Sequence, residues 1–451
     1  MGSSRAKDHS LRGLIMPASA SWLLEQEARA LFVRLARIKP FVLQETMVVA
    51  AAITPAAQTA IEQFLVQGRR ELRNLIRAFL VWVRSPENEI APDEAQRRFT
   101  ALRMRFNDVL SQFDLFSDVI TQRSESETGV WLAGLDVAAA EALTLPGNYY
   151  QPPSLICYLD RGPGAAIRRA RTRLPGGGEN PVAIIRVPRE RMIGSGVASS
   201  LVHEVGHQGA ALLDLIASLK PILQQMQHRG GEEATAWQYW DRWISEILAD
   251  FWAIARLGIT STLGLMAVVS LPRYFVFRLN INDPHPMPWL RVKLSCAIGD
   301  NLYPHPQWKN LADLWESFYP RAGLDEERLK LLASIEETMP EFVSLLAGHR
   351  PVSLGGASLK EVLSSEERQP AQLADFYRAW RGSPGSMLRA PLSLIFAVMG
   401  QARMDGQITP EEESRTLAYV LTYRAMRSTL DIAATCGPRP VAPLGQMGAA
   451  Q

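Results

Sequence analysis

At 451 residues, with 47% hydrophobic and 21% charged side chains, the chain has material for one large core or two or three packed units, and its composition excludes intrinsic disorder. A formal charge of +2 gives no global field that would point to nucleic acid or an anionic membrane. Cys157, Cys296 and Cys436 are widely spaced and odd in number, which argues against a disulfide framework or a cysteine metal site and favours a reducing, cytoplasmic setting.

The first residues lack the apolar run of a secretory signal. Residues 21–84 are helical in pattern: Leu72, Ile76, Leu80 and Val83 recur at helical spacing, and Pro40 and Pro55 mark turns. A loop is expected over 85–92. A further helix over about 93–122 carries Phe99, Leu102, Phe106, Leu110 and Phe113 on one face. Residues 1–145 are expected to form an N-terminal helical domain without chemistry of its own.

After Pro146 the pattern changes. Residues 154–159 and 182–187 read as strands, with Gly- and Pro-rich turn material between them. They form either a plain hairpin or a sheet whose edge holds an extended peptide by main-chain hydrogen bonds. The basic run 168–173 has no aromatic neighbours and reads as a solvated face.

Next comes Ser199-Ser200-Leu201-Val202-His203-Glu204-Val205-Gly206-His207, the pattern H-E-x-x-H inside an apolar helix. Four residues make about one helical turn, so His203 and His207 project from one face. Two imidazoles so placed can hold zinc, and Glu204 beside them can take a proton from an activated water. Gly206 is a poor helix former in this position and suggests close packing. The helix is expected to stop near Pro221. A second helix, about 235–257, is apolar nearly all round, with four tryptophans, yet carries Glu246 and Asp250 one turn apart. Buried carboxylates need partners. The simplest assignment makes Glu246 the third zinc ligand and Asp250 the acceptor for the free N–H of a ligating histidine. The alternative pairs both acids with Arg242 or Arg256 on the helix surface. The apolar run 257–271 is too short to span a bilayer and reads as a buried helix.

The segment Glu246-Ile247-Leu248-Ala249-Asp250 resembles the E-x-x-A-D element of gluzincin zinc metallopeptidases, in the form carried by the HtpX and CAAX-prenyl endopeptidase family. Downstream, His285-Pro286-Met287-Pro288-Trp289-Leu290-Arg291 is similar to that family's H-P-x-x-x-x-R segment. The resemblance covers about residues 197–297 and implies a gluzincin-like core and zinc peptidase chemistry. The family's better-known members have transmembrane helices, which this sequence lacks, so no membrane or prenylated substrate follows. His285 is then a candidate donor to the oxyanion formed when water attacks a carbonyl, or an anchor for a loop under the site. Arg291 is expected to pair with a buried carboxylate.

Beyond Asp300 the pattern is helical again, at 311–318, 325–347, 359–365, 372–380 and 387–399. Asp405-Gly406 is a turn and not half a calcium loop, because Gln401 and Arg403 stand where acidic ligands belong. Thr409 and Pro410 read as the N-cap and first residue of the next helix. The expected fold is α+β and predominantly α. A metallopeptidase core with a small β-sheet (146–300) is flanked by helical domains (1–145 and 301–435), with a disordered tail from 436. The expected function is a zinc-dependent peptidase acting on a peptide or protein, with no nucleic-acid partner and no membrane span. The alternative is a silent or latent scaffold whose helical flanks bind a regulatory protein.

Overall fold

The computed structural model describes residues 19–85, 91–161, 164–174, 177–189, 194–228, 230–231, 233–280 and 283–436. The fold is predominantly helical with a small three-stranded sheet. No helix among these residues is long and apolar enough to cross a membrane. Most of the expected loop 85–92 and the tail beyond Cys436 lie outside the described residues.

The chain divides into two compact units. The smaller comprises residues 1–43, 62–115 and 173–178. It contains α1 (Ala20–Arg37) and most of two long helices, α2 (Pro55–Arg84) and α3 (Pro92–Thr121). Each buries one stripe: Leu24, Leu31 and Leu35 on α1, Leu72, Ile76 and Val83 on α2, Phe99, Phe106 and Phe113 on α3. This is the 3.6-residue periodicity at work.

The larger unit comprises residues 44–61, 116–172 and 179–451. Its borders do not fall at 145 or 300, because one continuous core runs from α4 (Ser126–Leu143) to the C-terminal helices. The sheet consists of β1 (Leu155–Asp160), β2 (Ala166–Arg168) and β3 (Ala183–Pro188) in the order β1-β3-β2. A hairpin of the two apolar strands is not what forms. β1 and β3 run parallel, with Leu155 opposite Ala183, and β2 pairs antiparallel to β3. Both long strands are near-continuous apolar runs, as strands covered on both faces are. β2 falls at the start of the basic run and is too short and too polar to show in the pattern.

The outer edge of β1 is closed by side chains. The Gln122 amide donates to Leu159 C=O and accepts from Leu159 N–H, both at 2.8 Å. Asp136 accepts from Cys157 N–H at 2.7 Å, and Arg123 donates to Cys157 C=O. At the other edge the Asn180 amide donates to the carbonyl of Arg168, the last residue of β2, at 3.1 Å.

Helix α5 (Gly196–Leu212) follows, then α6 (Leu215–His228), α7 (Ala234–Leu257) and α8 (Ile259–Val269). The helix with H-E-x-x-H ends before Pro221, which lies inside α6. The break falls at Leu213-Asp214, where Asp214 takes φ +51° and its carbonyl accepts the Ser218 N–H that opens α6. Asp tolerates that left-handed backbone because its side chain is short and polar. The short α9 (Arg273–Val276) leads to α10 (Pro288–Leu302), which starts on a proline at its first residue. Then come α11 (Pro306–Phe318), α12 (Glu326–Gly348), α13 (Leu359–Leu363), α14 (Pro370–Gly382), α15 (Pro384–Met387), α16 (Leu392–Met404) and α17 (Pro410–Cys436). Thr409 and Glu412 cap α17 reciprocally, each bonding the other's backbone N–H.

The tryptophans of α7 hold this core. Trp240 stacks on Phe342 of α12 at 4.5 Å and donates to Thr338. Trp252 donates to Ala142 C=O at the end of α4. Helices α5 and α7 pack backbone to backbone. A Cβ on Gly206 would meet Ala249 Cα at 2.8 Å, so the expected close packing is what the glycine permits.

Candidate metal centre

Helices α5 and α7 face each other along this seam. His203 and His207 stand one turn apart with ring centroids 4.8 Å apart. Across from them, Glu246 places Oε2 at 3.3 Å from His203 Nε2 and Oε1 at 3.4 Å from His207 Nε2. The ligand atoms of these three residues all lie within 4.8 Å of one another, so the group can hold a metal ion. Tetrahedral bonds of about 2.0–2.1 Å put neighbouring donor atoms about 3.3–3.4 Å apart, which matches the spacing across the seam. Glu246 Oε2 is also buried without a well-formed hydrogen bond, with His203 Nε2 and His285 Nε2 at 3.3 Å and Arg291 Nη2 at 3.5 Å around it.

The far nitrogens of both rings are held. His203 Nδ1 lies 2.8 Å from Asp250 Oδ1, and Ser245 Oγ lies 3.5 Å from His207 Nδ1. With the Nδ1 proton of His203 directed at a carboxylate, Nε2 is the atom the ring offers to a metal on losing its own proton. Asp250 does not pair with Arg242 or Arg256. Arg291 grips it with two bonds, Nε to Oδ2 at 2.7 Å and Nη2 to Oδ1 at 2.9 Å. Arg256 donates instead to Thr144 C=O.

Burial works against charge here, and the specific partners overrule it selectively. At His203 burial is opposed by the charge and hydrogen bond of Asp250, and the imidazole rises to about 9. At His207 burial and the neighbouring His203 push the same way, down to about 4. At Glu246 burial is overcome by His203 and Arg291, which lower it to about 2. Glu204 lacks a comparable partner, so burial raises its carboxyl above the ordinary range.

Glu204 and His203 line a cleft of about 200 Å³ together with Gly164, Ser199, Leu265, His285 and Arg291. His285 is half exposed. Asp283 accepts both its backbone N–H at 3.0 Å and its Nδ1 at 2.8 Å, and Nε2 points to Glu246 Oε2 at 3.3 Å. Of the seven residues singled out from the sequence, His203, Glu204, Asp250, His285 and Arg291 line this cleft, and Glu246 and His207 join them through the close pairs of Glu246 with His203, His207 and His285. Ser245 and Asp283 were not singled out. Asp283 stands two residues before His285 in an Asp-Pro-His turn, and that spacing was the available signal. Ser245 has no such signal, because a serine beside a ligand is ordinary in a helix.

No family model matches the chain, and neither a curated protein nor a solved structure is similar to it.

Proposed function

We propose that the protein is a zinc-dependent metallopeptidase of gluzincin type. The observation that carries this reading is the convergence of His203 and His207 from one helix with Glu246 from another, ligand atoms within 4.8 Å of one another, beside a buried Glu204 in an open cleft. Two histidines and one carboxylate are the donor set of open, hydrolytic zinc sites, whereas closed structural sites favour cysteine. A zinc ion held by His203, His207 and Glu246 would supply Lewis acidity and make water a stronger acid near neutral pH.

The rest falls to the chain's own side chains. Glu204, with its carboxyl raised by burial, takes a proton from the attacking water and returns it to the leaving amine. Asp283 orients His285 and steadies its doubly protonated form, in which the Nε2–H facing the site donates to the developing oxyanion. Asp250 and Ser245 keep the two imidazoles turned toward Glu246. An extended substrate is directed to the β2 side of the sheet, because Gly164 and Ala165, just before β2, line the cleft while the β1 edge is closed.

Replacing Glu204 by Gln tests the proposal. Zinc content should stay near one ion per chain while hydrolysis of a peptide library falls by about 10²-fold or more. Retained hydrolysis would remove Glu204 as the base. A wild-type protein that holds zinc and cuts nothing would favour the scaffold alternative.

A further inference from the structure

The helices α14, α15 and α16 and the first turns of α17 enclose a second cavity, of about 640 Å³, that shares no residue with the metal cleft. Its wall is Trp380, Tyr377, Met387 and Met399, none more than 8% exposed. An indole and two thioethers make a soft apolar surface that accommodates varied shapes. At the mouth stand Arg381 and Arg415, both exposed. Among the described residues neither arginine has a carboxylate within ion-pair distance. Of the acids nearby, Glu411 lies one turn before Arg415 and feels its charge, Glu412, also on the lining, accepts the Thr409 N–H that caps α17, and Glu413 turns inward to Arg403 at 3.2 Å. Ligand pockets are typically apolar wells of about 300–1,000 Å³ with a few convergent polar groups. This cavity has that size and that division, with Arg381 as the cation not drawn to a neighbouring acid and Arg415 beside it on the lining, sharing its charge with Glu411.

We propose that the cavity binds a small amphiphilic carboxylate, its apolar body in the well of Trp380, Met387 and Met399 and its anionic head at Arg381 and Arg415. A cation of the same shape would meet the two guanidinium groups at the mouth and be repelled.

Calorimetric titration of the full-length protein with decanoate, and with decyltrimethylammonium as the matched cation, tests this. Decanoate should saturate at one per chain and bind about tenfold or more tighter than the cation. The double variant R381Q/R415Q, at two exposed positions, should keep its melting temperature and lose about tenfold in decanoate affinity. Filling the well with M399W should abolish uptake. Equal affinity for both amphiphiles, no saturable binding of decanoate, or unchanged binding in the arginine double variant would overturn the assignment.

Discussion

Asp250 sets the charge of the candidate metal centre. It holds His203 as an imidazolium up to about pH 9, while His207 stays neutral down to about 4. A ligating imidazole must be neutral. Loading zinc at neutral pH should therefore release about one proton, and apparent affinity should rise about tenfold per pH unit until pH about 9. Calorimetry in buffers of different ionisation heat reads the proton; an affinity flat across that range would contradict it. In the metal-free protein the sign reverses. His203 is raised above its unfolded value of 6.5, so its pairing with Asp250 stabilises the fold fully at lower pH and is lost as pH climbs through about 9. Asp250→Ala should lower zinc affinity by about 10–100-fold. It should also cost about 3 kcal/mol of stability, because buried Arg291 loses both close bonds and keeps only Glu246 Oε2 at 3.5 Å. Chelator competition and urea melts check the two effects separately.

The contact that matters most between elements is the one between α5 and α7. Its closeness brings Nε2 atoms and Glu246 oxygens within one coordination sphere, and it depends on Gly206 facing the backbone of Ala249. Backbone cannot swing aside as a side chain can. Gly206→Ala should therefore force the helices apart, destabilising by about 1–3 kcal/mol despite alanine's better helix propensity. Zinc affinity should fall with it. A melt showing the variant as stable as wild type, with zinc bound equally well, would mean that the seam has slack.

In the larger unit the core around the metal centre extends well past its motifs. Trp240 of α7 stacks on Phe342, Trp289 of α10 donates to Tyr319, and Arg368 donates to the Arg256 carbonyl at the end of α7. A fragment of residues 146–300 would lose these partners along with α4 and α16, exposing fully buried tryptophans. It should show no cooperative melt by circular dichroism and should bind zinc weakly. A folded fragment with wild-type zinc affinity would establish the motif region as an autonomous domain.

Helical periodicity and motif spacing sufficed to place His203 with His207, and Glu246 with Asp250, each pair on one face of its own helix, since such geometry is local. The buried tryptophan helix and the Thr409 cap were legible for the same reason. The parallel pairing of β1 with β3, the strand hidden at Arg168, the break at Asp214 ahead of Pro221, and the roles of Ser245 and Asp283 were decided by tertiary structure, as was the choice of Asp250 as the carboxylate that Arg291 grips. Strand direction depends on where the chain returns, and a hydrogen-bond partner depends on what packs opposite. Neither is written in the spacing of residues along one element; both emerge only when elements meet.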